Sequence, residues 1–86
     1  MKTIAIFGAT GTIGTFLINI LKKDKSKFKI ELLTANKNYK KLIKQVEIFN
    51  VKNVIITNEK SFLKIKKILK NKNINIYNNF NSLKKI

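Results

Sequence analysis

The three glycines of this chain, Gly8, Gly11 and Gly14, restrict its fold more than any other feature. Two residues separate each pair. An apolar run over residues 2–7 comes before them, and a helical pattern over residues 12–23 follows. A glycine-rich turn between a strand and a helix is typical of the βαβ unit that binds dinucleotides. Gly8 permits a sharp turn, Gly11 lets a pyrophosphate approach the backbone, and Gly14 lets the helix pack against the strand.

Backbone N–H groups at the start of this helix would bind the pyrophosphate, and the helix dipole would favour its charge. We expect the N–H groups of four residues to point at the anion: Thr10, Gly11, Thr12 and Ile13. The hydroxyls of Thr10 and Thr12 are further donors. A glycine loop without a ligand is the alternative. A P-loop is not supported, because no Gly-Lys-Ser/Thr follows.

The rest of the chain alternates between strand and helix patterns. Residues 34–38 form a polar turn, and Asn81-Ser82 is typical of the N-cap of a last helical turn. This alternation predicts an α/β fold: an incomplete Rossmann-like parallel sheet of about four strands with flanking helices. Strands are predicted over residues 2–7, 28–33, 53–57 and 74–77, and helices over 12–23, 39–49, 61–69 and 83–86.

Apolar residues three and four positions apart predict the buried face of each helix. These faces are Ile13, Phe16, Leu17, Ile20 and Leu21 in the first helix, Leu42, Ile43, Val46 and Phe49 in the second, and Phe62, Ile65, Ile68 and Leu69 in the third.

Composition excludes several kinds of site. The chain has 86 residues with no cysteine and no histidine, so disulfides, thiolate or histidine metal sites and Ser-His or Cys-His pairs are ruled out. No run approaches the roughly 20 apolar residues that span a bilayer, and the N-terminus lacks the pattern of a signal peptide. We therefore expect a cytoplasmic protein with no membrane partner.

The net charge of +15 is the usual mark of a nucleic-acid-binding protein. Here every basic residue is lysine, whereas phosphate- and base-reading surfaces usually include arginine for its bidentate geometry. Solvated lysine faces on helices explain the charge better, and we predict no nucleic-acid partner. A non-enzymatic lysine-rich nucleic-acid-binding module remains an alternative.

The residues at the end of the second strand indicate which cofactor is bound. Domains that prefer NAD usually carry Asp or Glu there, to bind the ribose hydroxyls. This strand ends without a carboxylate and leads into Asn36, Lys37 and Asn38. A cation between two amides is suited to a 2′-phosphate, so the sequence favours NADPH. The counter-interpretations are that Glu31 binds the ribose of NAD and that Lys37 is one more surface lysine.

Two motifs then suggest a family. Residues 4–15, I-A-I-F-G-A-T-G-T-I-G-T, resemble the opening of 1-deoxy-D-xylulose 5-phosphate reductoisomerase, and residues 33–38, L-T-A-N-K-N, are similar to its Ala-Gly-Lys-Asn turn. A softer match comprises Leu42, Gln45 and Phe49. The resemblance implies that Thr10, Gly11, Thr12 and Ile13 belong to a pyrophosphate-binding turn, and Asn36, Lys37 and Asn38 to a 2′-phosphate and ribose turn. Thr12 stands where the family has serine, and Asn36 replaces a glycine that is expected to need positive φ, which asparagine tolerates.

The resemblance also implies an activity. The family rearranges 1-deoxy-D-xylulose 5-phosphate and reduces it with NADPH to 2-C-methyl-D-erythritol 4-phosphate, in non-mevalonate isoprenoid biosynthesis. It uses a divalent metal, Mg or Mn, in a catalytic domain, and the full-length protein is expected to be a homodimer. The four acidic residues of this chain are scattered, so we predict no catalytic and no metal-binding residue here. Residues 1–86 are then an N-terminal NADPH-binding domain, a fragment inactive by itself.

A second enzyme class shares the glycine spacing. An extended short-chain dehydrogenase or epimerase needs a Tyr-x-x-x-Lys pair. Ile43 stands four residues after Tyr39, and Asn81 four residues after Tyr77. The pair is absent from this sequence, so this alternative requires it to lie downstream.

Overall fold

Strands and helices alternate along the chain in the computed structural model, which describes residues 2–86. The strands are β1 (Lys2–Ile6), β2 (Phe28–Ala35), β3 (Asn53–Ile56) and β4 (Asn75–Tyr77). The helices are α1 (Thr12–Lys22), α2 (Tyr39–Phe49) and α3 (Glu59–Ile68), with short 3₁₀ helices at Lys25–Lys27 and Phe80–Lys85.

All four strands are parallel and lie in the order β1-β2-β3-β4. Their register pairs Ile6 with Leu33, Leu33 with Val54 and Val54 with Ile76, so the carboxyl ends of the strands lie along one edge. Right-handed crossovers between consecutive strands place successive helices on one face, and α2 contacts both α1 and α3. The predicted Rossmann-like α/β fold is confirmed.

The core lies between the central strands and the helices. Its fully buried aliphatic side chains each contribute roughly 1.5–3 kcal/mol relative to an exposed position. The second and third helices bury much of their predicted faces, although Ile68 is exposed. The completely buried members are Ala9, Leu33, Leu42, Val54, Ile56 and Ile65.

The predicted buried face of α1 is wrong. Ile13 is 84% exposed and Phe16 is 67% exposed, whereas the buried positions are Gly14, Ile18 and Leu21. Leu17 and Ile20 are also exposed, so Leu21 alone was assigned correctly. The helix has apolar residues on nearly all sides, and the close approach of Gly14 to the preceding turn decides which side faces the sheet.

Strand β2 extends two residues further than the sequence predicts. Thr34 and Ala35 were expected in the polar turn, but they pair with Ile55 and Ile56 of β3. Both are buried. Burial and strand pairing therefore extend β2 up to Ala35, and the turn begins only with the polar residues that follow.

Strands β1, β3 and β4 and helix α1 each differ from the predicted bounds by one residue at one end, and three further differences are larger. The 3₁₀ helix at Lys25–Lys27 carries no apolar periodicity and was not predicted. Helix α3 begins at Glu59, because the side chain of Asn58 accepts a hydrogen bond from Ser61 N at 3.0 Å. The last helical segment is a 3₁₀ helix that begins at Phe80, so Asn81 and Ser82 lie inside it and do not cap it.

Two kinds of feature are absent from residues 2–86. None of their helices has the length and apolar character needed to cross a membrane. No group of three or more acidic, histidine or cysteine side chains is placed to hold a metal ion in this part of the chain.

Candidate dinucleotide-binding site

The glycine turn, residues 8–14, joins β1 to α1 at the carboxyl edge of the sheet. Gly8 has φ +66°, a conformation that side chains rarely adopt. Its N–H donates to Thr34 Oγ1 at 2.9 Å, and the N–H of Ala9 donates to the backbone oxygen of Thr34 at 2.7 Å. These two bonds fix the turn to the end of β2, at the edge where parallel α/β sheets bind ligands.

Gly14 brings α1 close to the start of this turn. A Cβ atom at Gly14 would overlap the backbone oxygen of Gly8 and lie 2.7 Å from Ala9 Cα. Both contacts are with backbone atoms, so no side-chain rotation could relieve them. Gly14 therefore lets α1 pack closely, but against the turn that follows β1 and not, as predicted, against the strand itself.

Several backbone N–H groups at the start of α1 have no hydrogen-bond acceptor. Helix α1 begins after Gly11, which has φ −76° and provides no side-chain cap. Among the described residues, no acceptor meets the N–H groups of Thr10, Thr12, Ile13 or Gly14. Unpaired N–H groups at a helix N-terminus, with the positive end of its dipole, form a site suited to an anion.

The Gly11 N–H differs from the sequence-based expectation. It donates to the backbone oxygen of Gly8 at 3.0 Å and is therefore used within the turn. The Gly14 N–H was not among the predicted donors, but it has no acceptor among the described residues and takes the place of the Gly11 N–H as a potential donor. A Cβ atom at Gly11 would have Gly8 O, at 3.4 Å, as its one neighbour among the described residues, so the space beside this residue is not filled by the protein.

An open cavity of about 550 Å³ lies beside the glycine turn. Its lining includes Phe7, Gly8, Gly11, Thr12 and Ile13. Thr12 is exposed there and Thr10 is half-buried. Three of the predicted site residues, Gly11, Thr12 and Ile13, thus line one open cavity, and Thr10 directly precedes them in the turn.

The second predicted turn, residues 36–38, follows β2 directly and is exposed. The start of α3 fixes its backbone. Asn58 N–H donates to the Asn36 backbone oxygen at 2.9 Å, and Ser61 Oγ donates to the Lys37 backbone oxygen at 2.8 Å. The two turns therefore follow neighbouring strands at the same edge of the sheet.

Both asparagines of this turn have structural partners. Asn38 Oδ1 accepts from Lys41 N at 3.2 Å and caps α2, and Asn36 Oδ1 accepts from Thr57 Oγ1 at 2.9 Å. Each retains an Nδ2 donor that bonds to no other described residue. The ion pairs of residues 2–86 are Lys27–Asp24 and Lys29–Glu31, so no carboxylate of that range neutralises Lys37. The expected positive φ at Asn36 is wrong, because Asn50 is the one described non-glycine residue with φ in that region.

Glu31 lies away from this site. It is in the middle of β2, where its side chain pairs with Lys29 at 3.7 Å and accepts a hydrogen bond from Asn53 Nδ2 at 3.3 Å. The carboxyl end of β2 therefore has no acidic side chain to bind a ribose. This geometry disfavours the counter-interpretation that Glu31 selects NAD.

Two residues that support the glycine turn were not identified as such from the sequence. Thr34 accepts the Gly8 N–H, and Gln45 Nε2 donates to the backbone oxygen of Ala9 at 2.8 Å. The available signal for Gln45 was a polar residue on an otherwise apolar helix face. Thr34 gave no signal of its own, because it was assigned to a turn.

The model of the 1-deoxy-D-xylulose 5-phosphate reductoisomerase family matches residues 4–86. This chain belongs to that family. A member from Pelagibacter ubique (strain HTCC1062) is 64% identical over 86 residues, which are 100% of this chain and 22% of the relative. A member from Clostridium novyi (strain NT) is 44% identical over 66 residues, 77% of this chain and 17% of the relative. The chain therefore spans about a fifth of the length of these curated relatives.

Solved structures of the family share the fold. The reductoisomerase from Zymomonas mobilis in complex with NADPH has a TM-score of 0.81 at 25% identity, over 88% of this chain and 20% of the other. A DOX-P reductoisomerase in complex with NADPH, fosmidomycin and magnesium has a TM-score of 0.86 over 96% of this chain and 21% of the other. At 20% identity the second likeness speaks for the fold alone. Membership of this family favours the main interpretation over the short-chain dehydrogenase and nucleic-acid-binding alternatives.

Proposed function

We propose that this chain is the NADPH-binding part of a 1-deoxy-D-xylulose 5-phosphate reductoisomerase. The observation that carries the proposal is the set of unpaired N–H groups at the glycine turn, next to an unneutralised lysine at the neighbouring turn. NADPH, when bound, would supply the hydride of the family's reduction. The residues of this chain would hold and orient it.

The pyrophosphate would lie at the start of α1. Thr10, Thr12, Ile13 and Gly14 would donate their backbone N–H groups, and the hydroxyls of Thr10 and Thr12 would add donors. Hydrogen bonds to a charged group contribute about 1.5–3 kcal/mol each. Gly11 would contribute by the space it leaves, since its N–H is used within the turn.

The adenosine 2′-phosphate would lie at residues 36–38. The Lys37 ammonium would pair with it, and the Nδ2 groups of Asn36 and Asn38 would donate to the phosphate or the ribose. Because the backbone of this turn is bonded to Asn58 and Ser61, little ordering is needed when the phosphate binds. A site that is already ordered loses less entropy on binding.

The activity of the whole protein follows by family. We propose that the complete protein converts 1-deoxy-D-xylulose 5-phosphate to 2-C-methyl-D-erythritol 4-phosphate, in the cytoplasm and as a homodimer. The divalent cation, Mg²⁺ or Mn²⁺, is assigned to residues outside this chain. Residues 1–86 would then be the N-terminal cofactor-binding portion of a longer polypeptide.

The exposed apolar side of α1 supports the proposal that this chain is part of a longer polypeptide. Phe16, Leu17 and Ile20 are exposed, and Leu17 lines the open cavity together with Ala5 and Ile6 of β1, an edge strand. Contiguous exposed apolar residues mark surfaces that another element covers. We propose that further strands and helices of the longer polypeptide cover this side.

Calorimetric titration with NADPH and NADH tests the proposal. We expect NADPH to bind at least about tenfold more tightly, the equivalent of about 1.4 kcal/mol, and Lys37→Gln to remove most of that preference. Lys70→Gln is the matched control, because Lys70 is exposed and follows α3 at the opposite edge of the sheet. Equal affinities for the two cofactors in the unmodified protein would refute the assignment of Lys37.

A further inference from the structure

Helix α2 contributes one buried polar side chain to the glycine turn. Gln45 is 4% exposed, and its Nε2 donates to the backbone oxygen of Ala9 at 2.8 Å. Ala9 is fully buried, and it lies 36 positions before Gln45 in the sequence. A buried carbonyl without a partner is costly, so this bond stabilises one particular conformation of the turn.

The bond determines which way the Ala9–Thr10 peptide faces. A trans peptide is planar, so its C=O and its N–H point in opposite directions. Since the Ala9 carbonyl faces Gln45 in the interior, the Thr10 N–H faces away from the interior. That N–H has no acceptor among residues 2–86.

We infer that Gln45 is a positioning residue, which holds the Ala9–Thr10 peptide so that the Thr10 N–H is presented to the pyrophosphate. The inference rests on the proposed binding of NADPH. If this peptide rotated, the Ala9 carbonyl oxygen would face the anion in place of the Thr10 N–H. A donor would thereby be exchanged for a repelling acceptor.

Other hydrogen bonds of the turn fix different peptides. Ala9 N–H donates to the Thr34 oxygen and fixes the peptide before Ala9, and Gly11 N–H donates to the Gly8 oxygen and fixes the peptide after Thr10. In the described part of the chain, the peptide between Ala9 and Thr10 has Gln45 as its one partner.

The other amide atom of Gln45 argues against a role in packing alone. Gln45 Oε1 is buried and has no hydrogen-bond partner in the described structure, which is itself unfavourable. Methionine has nearly the same shape and would avoid this cost. The Nε2 bond to Ala9 is what a methionine could not supply.

The test compares Gln45→Met with a matched control in the protein expressed from its complete reading frame. The control is Asn53→Leu. Asn53 is also a buried amide, 7% exposed, and it donates to a β2 backbone carbonyl, that of Glu31, at 3.1 Å. It stands at the amino end of β3, away from the glycine turn.

We expect Gln45→Met to raise the Kd for NADPH at least about tenfold, as loss of a hydrogen bond to a charged group predicts. The KM for NADPH should rise while kcat changes little. In ¹⁵N spectra of the unmodified protein, addition of NADPH should shift the Thr10 amide signal. In Gln45→Met this change should be absent. Asn53→Leu removes the bonds from Asn53 Nδ2 to the Glu31 backbone oxygen and carboxylate and should lower the Tm. It should leave the Kd within about twofold, since these bonds do not involve the glycine turn or the cofactor.

Three results would overturn the inference. The first is a folded Gln45→Met protein with unchanged NADPH affinity, and the second is a loss of affinity in both variants in proportion to their loss of Tm. If Gln45→Met does not fold, Gln45→Asn is used, because the shorter asparagine side chain cannot reach the Ala9 oxygen. The third result is an unchanged NADPH affinity in Gln45→Asn. Failure of the unmodified protein to bind NADPH would instead refute the proposed function, and the inference with it.

Discussion

Replacing Gly14 by alanine should destabilise the protein, although alanine favours helices. The new Cβ would overlap Gly8 O and lie 2.7 Å from Ala9 Cα and 2.9 Å from Ala9 C. Overpacking of this kind costs about 1–3 kcal/mol, and contacts with backbone atoms that cannot rotate away put the cost near 3. Alanine returns about 1 kcal/mol in helix propensity. The net loss is therefore about 2 kcal/mol.

Thermal and urea unfolding measure this loss. At ~4–8 °C per kcal/mol for a domain of this size, Gly14→Ala should lower the Tm by about 8–16 °C. Asn19→Ala is the control, because Asn19 is an exposed position of the same helix and should gain a few tenths of a kcal/mol. A Gly14→Ala protein within about 0.5 kcal/mol of the unmodified protein, the range of ordinary surface changes, would refute the packing argument.

Three further substitutions separate stability from binding. Thr34→Val leaves the Gly8 N–H without its acceptor and should cost about 1–3 kcal/mol in chemical unfolding, whereas Thr34→Ser should retain the bond; equal loss in both would count against the hydroxyl. Asn38→Asp keeps the cap on Lys41 N and should hold the Tm, but it should weaken NADPH more than NADH in titrations, because a carboxylate repels the 2′-phosphate. Asn50 has φ +53° at the end of α2, so Asn50→Ala should cost about 1–2 kcal/mol while Asn50→Gly should not; the reverse order would contradict that conformation.

The sequence predicted those parts of the fold that depend on local pattern. Helix α2 was predicted with its observed bounds, because its apolar spacing and the polar turn before it mark the same residues. The buried side of α1 could not be predicted, because apolar residues surround that helix and a tertiary contact at Gly14 selects the side.

In the candidate site too, local pattern was predictable from the sequence and tertiary contacts were not. The glycine spacing and the carboxylate-free end of β2 located the two turns. The actual donors could not be read from the sequence, since Gly11 N–H is used by Gly8 and Gly14 N–H is free. The support from Gln45 spans 36 positions, and no local pattern reports so distant a contact.

Amide chemical shifts during titration with NADPH test the central claim most directly. If the pyrophosphate binds at the start of α1, the N–H groups of Thr10, Thr12, Ile13 and Gly14 should show the largest shifts, and they should saturate together. Gly11 N–H, already bonded within the turn, should move less. Shifts spread over the lysine-rich surface, with the glycine turn unmoved, would contradict the account.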